Sequence, residues 1–254
     1  MSEPNPFLSS GSSSPAGSSS TGDARAVAAG QGWAWIASGF ELFKKQPGIW
    51  IAIVVLLFVI MIVLSLIPFL GSIALFLLMP VFTGGLMLGC RSLARDGPLE
   101  IGHLFAGFQN QTGNLVVLGA ISIAAWIVVM LPVMAIVGVG AFFGASAGGA
   151  AGMGGIGASF LLAFLIAFAF SILIYMALWF APALVVLRGA APVAAIKQSF
   201  AACLKNIIPF LIYGLVVFVL GIVATIPLGL GWLVLGPVLG ASVYTAFQDL
   251  FGDA

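Results

Sequence analysis

The sequence predicts an all-α polytopic membrane protein with six transmembrane helices, and its composition and the length of its apolar runs support this prediction. Of its 254 residues, 62% are hydrophobic and 6% are charged, whereas soluble domains have about 45–50% apolar and about 25% charged residues. The apolar runs are continuous, whereas the strands of a membrane barrel alternate between apolar and polar residues. Composition therefore excludes an ordinary soluble enzyme, and the net charge of +1 provides no basic surface for nucleic acid.

Residues 1–27 are predicted to form a disordered tail. Ser, Gly and Pro dominate this segment, and no apolar periodicity runs through it, which is typical of a flexible, solvated chain. The segment lacks the basic start and the apolar run of a secretory signal peptide. A single membrane domain is then expected over residues 28–254.

Six apolar runs mark the predicted spans, because a helix needs about 20 such residues to cross the hydrocarbon core. They cover residues 48–70, 72–90, 114–137, 159–187, 207–227 and 231–248. The fourth run is longer than a span requires, so we expect tilt or a kink near Pro182.

An internal repeat groups the spans into three helical hairpins, over about residues 31–95, 98–188 and 191–250. Each copy has a phenylalanine followed six residues later by an amide side chain: Phe40 and Gln46, Phe105 and Gln111, Phe200 and Asn206. Prolines recur near the end of the odd-numbered spans and inside the even-numbered ones: Pro68, Pro132, Pro227, Pro80, Pro182 and Pro237. The first and third copies match best, and both a twofold and a threefold arrangement in space remain open.

A short amphipathic helix is predicted ahead of each hairpin. Apolar residues recur with the spacing of one helical face: Trp33, Ile36, Phe40 and Phe43 in the first copy, Ile101, Phe105 and Phe108 in the second, Val193, Ile196, Phe200 and Cys203 in the third. These helices are too short to span a membrane, so we expect them to lie at the interface or to pack on neighbouring spans.

The basic residues predict the orientation of the chain. All eight lie on one side of the spans: Arg25, Lys44, Lys45, Arg91, Arg95, Arg188, Lys197 and Lys205. The turns on the other side, at residues 65–74, 138–158 and 228–231, contain no charged residue. Because an excess of Lys and Arg marks the cytoplasmic side, both termini and all three amphipathic helices are predicted to be cytoplasmic, with Trp50 and Trp232 at opposite interfaces.

Two sets of residues are candidates for binding or packing. Seven cations could contact anionic lipid headgroups, at about 1 kcal/mol each, although topology alone explains their placement and is the preferred interpretation: Lys44, Lys45, Arg91, Arg95, Arg188, Lys197 and Lys205. Four glycines form small-xxx-small patterns, which allow close helix packing within the chain or in a dimer: Gly85 with Gly89, and Gly236 with Gly240. The glycine-rich segment 138–157 is predicted to be a flexible linker.

The sequence predicts neither a catalytic centre nor a cofactor or metal site. No span contains Asp, Glu, Lys, Arg or His, which argues against a pump or an ion-coupled carrier. His103, Cys90 and Cys203 are a weak basis for a metal site. His103 lies three residues after Glu100, so the two side chains could pair. The chain is therefore not expected to be an enzyme.

Several segments resemble a family of bacterial multi-pass inner-membrane proteins that has no assigned biochemical function. They are residues 32–40, 47–50, 85–91, 103–108 and 227–232, and the resemblance extends over about residues 25–252. It implies a location in the bacterial cytoplasmic membrane and implies no activity. A looser likeness to the membrane domain of some glycerophosphodiester phosphodiesterases brings no activity either, because the chain has no catalytic domain.

Three functions compete at this level. The first is a non-enzymatic scaffold or modulator whose partners are membrane lipids, a second copy of the chain or another membrane protein. It is favoured by charge-free spans and amphipathic helices. The alternative is a transporter or channel for a small neutral or hydrophobic solute. The third is a membrane enzyme acting on lipid, for which no catalytic set is visible.

Overall fold

Six apolar helices dominate the computed structural model, which describes residues 24–252. Within that range the chain forms helices and no strand. Most of the predicted tail, residues 1–23, and residues 253–254 lie outside the described residues. The helices are α1 (Gln31–Lys45), α2 (Pro47–Ser65), α3 (Leu70–Ala94), a 3₁₀ helix (Ile101–Phe108), α4 (Thr112–Ala147), α5 (Gly149–Leu178), α6 (Ala181–Arg188), α7 (Pro192–Lys205), α8 (Ile207–Thr225) and α9 (Trp232–Phe251).

The predicted all-α class and the six spans are confirmed. The helices long and apolar enough to cross a membrane are α2, α3, α4, α5 together with α6, α8 and α9. Proline and glycine set several of their boundaries: Pro47 and Pro192 begin α2 and α7, where a missing N–H costs nothing. Gly189 ends α6 with a left-handed φ of 66°.

The long fourth span is broken close to Pro182, where tilt or a kink was expected. The helix α5 ends at Leu178, and α6 starts at Ala181 with Pro182 in its first turn. At the break, the backbone N–H of Phe180 donates to the Ser199 hydroxyl at 3.0 Å. After the break, the well-buried α6 packs mainly on α3 and α7.

The prediction of a flexible linker at residues 138–157 is wrong. The helix α4 continues to Ala147 and α5 begins at Gly149, with Gly148 turning the chain at a left-handed φ of 63°. The two helices approach so closely that a Cβ on Gly152 would collide with the carbonyl oxygen of Gly144. The glycines therefore allow the two helices to pack closely. A high glycine content is compatible with close helix packing and with a flexible linker, so composition alone does not distinguish them.

The three short helices pack on the spans, which was one of the two expectations for them. The helix α1 packs chiefly on α9, the 3₁₀ helix on α3, and α7 on α5 and α6. The middle element is a 3₁₀ helix rather than the α-helix expected from the other two copies. The 3₁₀ helix and α7 thus contact the membrane-length helix that directly precedes each of them in the chain, and α1 contacts the last one, α9.

The buried face of α1 differs from the predicted one. Ile36 and Phe43 are buried as expected, but Trp33 is 56% exposed and Phe40 is 42% exposed. The contact face is displaced because two glycines on α1, Gly32 and Gly39, lie against the backbones of α8 and α9. Small residues admit the closest approach, so the glycines rather than the largest aromatic residues define this face.

Trp50 and Trp232, which are predicted to lie at opposite interfaces, differ in exposure. Trp50 is 1% exposed, and its indole N–H has no hydrogen-bond partner among the described residues. Trp232 is 44% exposed and donates its indole N–H to the Thr225 hydroxyl at 3.2 Å. Trp50 belongs to the core that the first turns of α2 share with its neighbours.

Candidate functional site

The charged residues of the described chain gather around the three short helices. We define the short-helix layer as α1, the 3₁₀ helix, α7, the segment 24–30 and the helix ends that contact them. Its charged members are Arg25, Glu41, Lys44, Lys45, Arg91, Arg95, Asp96, Glu100, Arg188, Lys197, Lys205 and Asp249. Seven cations of this layer are candidates for contact with lipid headgroups, with topology as the preferred explanation of their placement, so their contacts decide which of them are available.

Two lysines at the ends of short helices bind backbone carbonyls. At the end of α1, Lys45 donates to the carbonyl oxygen of Leu93 at 3.0 Å and to the Asp96 carboxylate at 2.7 Å. At the end of α7, Lys205 donates to the carbonyl oxygen of Ala24 at 2.8 Å. Each ammonium thus fixes a stretch of chain that leads into the next short helix.

The amide residue after each lysine makes a matching contact. The Gln46 side-chain oxygen accepts the backbone N–H of Leu99, just ahead of the 3₁₀ helix, at 3.0 Å. The Asn206 side-chain oxygen accepts the backbone N–H of Val27, just ahead of α1, at 2.9 Å. Asn206 is 1% exposed, and its amide nitrogen donates to two further carbonyls. The end of α7 is therefore joined to the segment ahead of α1 as the end of α1 is joined to the segment ahead of the 3₁₀ helix.

The middle copy departs from this arrangement. Asn110 donates to the carbonyl of Ala106, and Gln111 accepts the side-chain amide of Asn114, so both contacts are local. Gln111 has a left-handed φ of 60°. The middle hairpin therefore lacks the connection that the other two lysine–amide pairs make.

Asp249 fastens the first described residues to the last helix. Its carboxylate pairs with the Arg25 guanidinium at 2.5 Å and accepts the indole N–H of Trp35 at 2.9 Å. The backbone N–H of Arg25 also donates to the carbonyl of Leu250 at 2.9 Å. Residues 24–27, which composition assigned to the tail, are therefore packed on the membrane domain, beside the end of α9.

Five of the seven predicted lipid-binding cations have protein partners. Lys45 and Lys205 bind as described, and Lys44 pairs with Glu41 at 2.8 Å. Arg188 lies 5.8 Å and 5.5 Å from two phenylalanine rings of α9 and donates to the carbonyl of Phe251, and Arg95 is also engaged. The side chains of Arg91 and Lys197 make no hydrogen bond or ion pair with any residue between 24 and 252.

The two predicted glycine pairs have different surroundings in the structure. A Cβ on Gly85 would collide with backbone carbonyls of the 3₁₀ helix, and one on Gly89 would lie 2.7 Å from the Leu99 side chain. A Cβ on Gly236 or Gly240 would meet nothing within 4 Å. Only the first pair therefore serves close packing within the chain, and a dimer contact through Gly236 and Gly240 stays a prediction.

Glu100 and His103 begin the 3₁₀ helix together. The backbone N–H of Glu100 donates to Nδ1 of His103 at 3.0 Å, and the Glu100 side chain accepts the backbone N–H of His103. This reciprocal arrangement is a capping box, which satisfies two N–H groups at a helix start. The predicted pairing of the two side chains is thus replaced by two contacts to backbone.

Two titratable groups of the layer are shifted by their surroundings. The hydrogen bond and the charge of Lys45 lower the pKa of the Asp96 carboxyl below its usual value. Burial raises the pKa of the Cys203 thiol to about 12, which keeps it protonated and unreactive at neutral pH.

An apolar groove of about 370 Å³ lies between α5 and α8, next to the layer. Trp179 makes edge-to-face ring contacts there with Phe210, at 6.3 Å between centroids, and with Tyr213, at 5.9 Å. Cys203 of α7 also lines the groove, and its thiol is 3.6 Å from the carbonyl oxygen of Met176. This groove was not predicted, because the residues of its two walls are at least 28 positions apart in the chain.

Comparison with known proteins supports a membrane location. The chain is 29% identical over 238 residues to a Burkholderia thailandensis protein named "Probable inner membrane protein", covering 86% of this chain and 82% of that protein. No family model and no solved structure matches the chain. The similarity agrees with the family resemblance drawn from the sequence. With six membrane-length apolar helices, the chain is a multi-pass inner-membrane protein without an assigned activity.

Proposed function

We propose that this protein is a non-enzymatic membrane scaffold that binds membrane lipids and, through them or directly, partner membrane proteins. The observation that carries this proposal is the use of its charged and amide side chains. Lys45, Arg188, Lys205, Asn206 and Asp249 all bind groups of the protein itself. The surfaces that remain are mainly apolar helix faces, which suit lipid tails and apolar partner helices.

The proposed orientation puts the short-helix layer and both termini in the cytoplasm. All basic residues lie on the layer side, as the positive-inside rule requires. The contact of Arg25 with Leu250 and Asp249 also brings the two ends of the described chain to the same side. Reporter fusions at Ser2 and Ala254 should both give cytoplasmic signals, and a signal from the far side at either end would overturn this topology.

The connections between hairpins support an internal repeat. Lys45–Gln46 and Lys205–Asn206 occupy equivalent positions in the first and third copies and make equivalent contacts to the next short helix. We infer that the three hairpins descend from one repeated unit and that the middle copy lost this pair of contacts. A scaffold built this way holds its spans from one end and leaves their apolar faces outward.

A transporter for a hydrophobic solute is the second candidate, because the groove between α5 and α8 is open to one side. Two measurements separate the candidates. Native mass spectrometry after mild solubilisation should show bound lipid or a stoichiometric partner protein, and finding neither would overturn the scaffold. Selective, saturable flux of a small solute into liposomes would favour the transporter instead.

A further inference from the structure

We propose that the groove between α5 and α8 is a binding site for one acyl chain of a membrane phospholipid. This inference rests on the proposed lipid-binding function and assigns that function to one place on the molecule. It follows from three properties of the groove: the helices that flank it, the chemistry of its lining, and its size.

The groove lies where two neighbouring membrane helices fail to pack. The contacts of α5 are with α4, α6 and α7, and those of α8 are with α1, α7 and α9. Elsewhere the spans join directly, as where α3 packs on α4 and a Cβ on Gly119 would lie 2.6 Å from Leu77. Both walls belong to membrane-length apolar helices, so the medium outside this opening is hydrocarbon rather than water.

The lining offers an acyl chain mainly apolar contacts, and its polar atoms belong to Tyr175, Trp179, Cys203 and Tyr213. The residues that face the groove from the two helices include Ile172, Met176, Phe210, Leu211, Gly214 and Val217. The Tyr213 hydroxyl is hydrogen-bonded to the Ser242 hydroxyl at 2.8 Å, so this polar group already has a partner away from a ligand. An apolar chain that enters the groove therefore leaves the buried Tyr213 hydroxyl satisfied.

The wall behind the opening is firmly held. Trp179 lies at the break between α5 and α6, and its ring contacts Phe210 and Tyr213 of α8. The end of α5 is fixed by the Ser199 hydroxyl, which donates to the carbonyl oxygen of Met176 at 2.8 Å. A pre-formed site of this kind costs a ligand little reorganisation.

The volume fits one chain. Since a dry apolar cavity of about 150 Å³ holds the six carbons of benzene, the 370 Å³ of the groove holds roughly 15 carbons at the same density. This is close to the length of one phospholipid acyl chain. The chemistry, the surroundings and the size of the groove therefore all agree with a lipid tail as its occupant.

Gly214 permits a specific test. It lines the groove, and a Cβ placed on it meets nothing within 4 Å. The substitution Gly214→Phe should fill the space without disturbing the helix. Gly138→Phe is the matched control, because Gly138 is also an exposed helical glycine with nothing within 4 Å, and it lies outside the groove.

The three proteins are purified in mild detergent, incubated with mixed palmitoyl-oleoyl phosphatidylethanolamine and phosphatidylglycerol, and measured by native mass spectrometry. We expect wild type and Gly138→Phe to retain one tightly bound phospholipid. Gly214→Phe should bind it about tenfold more weakly or worse, because the phenylalanine ring takes the place of several methylenes and removes their van der Waals contacts with the walls of the groove.

The other outcomes overturn the proposal in distinguishable ways. Unchanged binding by Gly214→Phe, or equal loss by both variants, would reject the groove while leaving the proposed function intact. Absence of bound lipid from wild type would reject lipid binding itself. If Gly214→Phe fails to fold, wild type is reconstituted with a phospholipid bearing a diazirine in its acyl chain. Crosslinks should fall within residues 172–179 and 207–217, and crosslinks confined to other helices would reject the groove.

Discussion

The short-helix layer and the far end of the α4–α5 hairpin pack by different means. We define the distal hairpin as residues 131–162. In the layer, Asn206 is 1% exposed and satisfies its amide with three protein groups. In the distal hairpin, Phe142, Phe143 and Met153 are 68%, 65% and 77% exposed, and contact between the helices is made by glycines.

This difference indicates which end of the molecule has a fixed geometry. Directional hydrogen bonds hold the layer in one arrangement, because an unsatisfied buried polar group is costly. Glycine contacts in the distal hairpin are apolar and non-directional, so its helices can adjust to the surrounding medium. At 36 residues, α4 is roughly 54 Å long, well beyond the hydrocarbon thickness of about 30 Å.

The largest expected effect is on the reaction rate of the buried Cys203 thiol, which reports whether solvent reaches the interior of the short-helix layer. Cys203 is 4% exposed, and burial raises the pKa of its thiol to about 12. Because each pKa unit changes the thiolate fraction tenfold, a maleimide at pH 7.5 should react about a thousandfold more slowly there than with an ordinary thiol. The rate is followed by intact-mass spectrometry in detergent.

A cysteine at an exposed position of the same layer calibrates this measurement. Ser38 is exposed on α1, so Ser38→Cys should react at the ordinary rate. Equal rates for Cys203 and the introduced thiol would show that solvent enters the layer, and the contrast with the distal hairpin would then be lost.

The next largest effect is expected where a span meets a short helix. A Cβ on Gly85 would collide with the carbonyls of His103 and Leu104. Gly85→Leu should therefore lower the free energy of unfolding by about 1–3 kcal/mol or more, the usual cost of overpacking. Thermal unfolding in detergent, followed by circular dichroism, measures the change.

Two further glycine variants test whether the effect of Gly85→Leu distinguishes the short-helix layer from the distal hairpin. Gly236→Leu should be close to neutral, because a Cβ there meets nothing within 4 Å. Gly152→Leu collides with Gly144, but next to the Gly148 turn the helices can separate locally. If Gly152→Leu lowered the melting temperature as much as Gly85→Leu, the two regions would not differ in rigidity.

Much of the fold could be predicted from sequence because hydrophobic length is a local property. The six spans follow from runs of about 20 apolar residues, and the break near Pro182 follows from the loss of a backbone hydrogen bond. The linker at residues 138–157 was mispredicted because glycine favours both flexible chain and close helix contact. Only the partner helix distinguishes these uses, and the composition of one segment does not contain it.

The candidate site was harder to predict because it joins distant parts of the chain. The alignment of Gln46 with Asn206 was visible in the sequence, but their partners Leu99 and Val27 contribute only backbone N–H groups, which leave no mark on composition. The role of Asp249 was missed for a related reason, since a single acid after an apolar run indicates neither Arg25 nor Trp35.

A smaller effect is expected from the buried amide of the layer. Asn206→Ala leaves the N–H of Val27 and two carbonyls without partners, so the free energy of unfolding should fall by about 1–3 kcal/mol. Gln111→Ala is the matched control, because the contact of Gln111 is local and exposed. Equal losses in the two variants would contradict the special role assigned to the connections between hairpins.

The smallest effect concerns the exposed pair of Lys45 and Asp96, joined at 2.7 Å. Lys45 lowers the pKa of Asp96 in the folded protein, so the pair stabilises the fold above the ordinary aspartate pKa and ceases to do so as pH falls through the lowered value. Because both side chains are well exposed, salt should weaken the contribution further. Melting temperature measured from pH 7 to pH 3 should therefore fall slightly more for wild type than for Asp96→Asn, and the difference should shrink in 0.5 M salt. A steeper acid loss in the variant would mean that the carboxylate of Asp96 opposes the packing of the layer, although Lys45 would still hold the end of α3 through the carbonyl of Leu93.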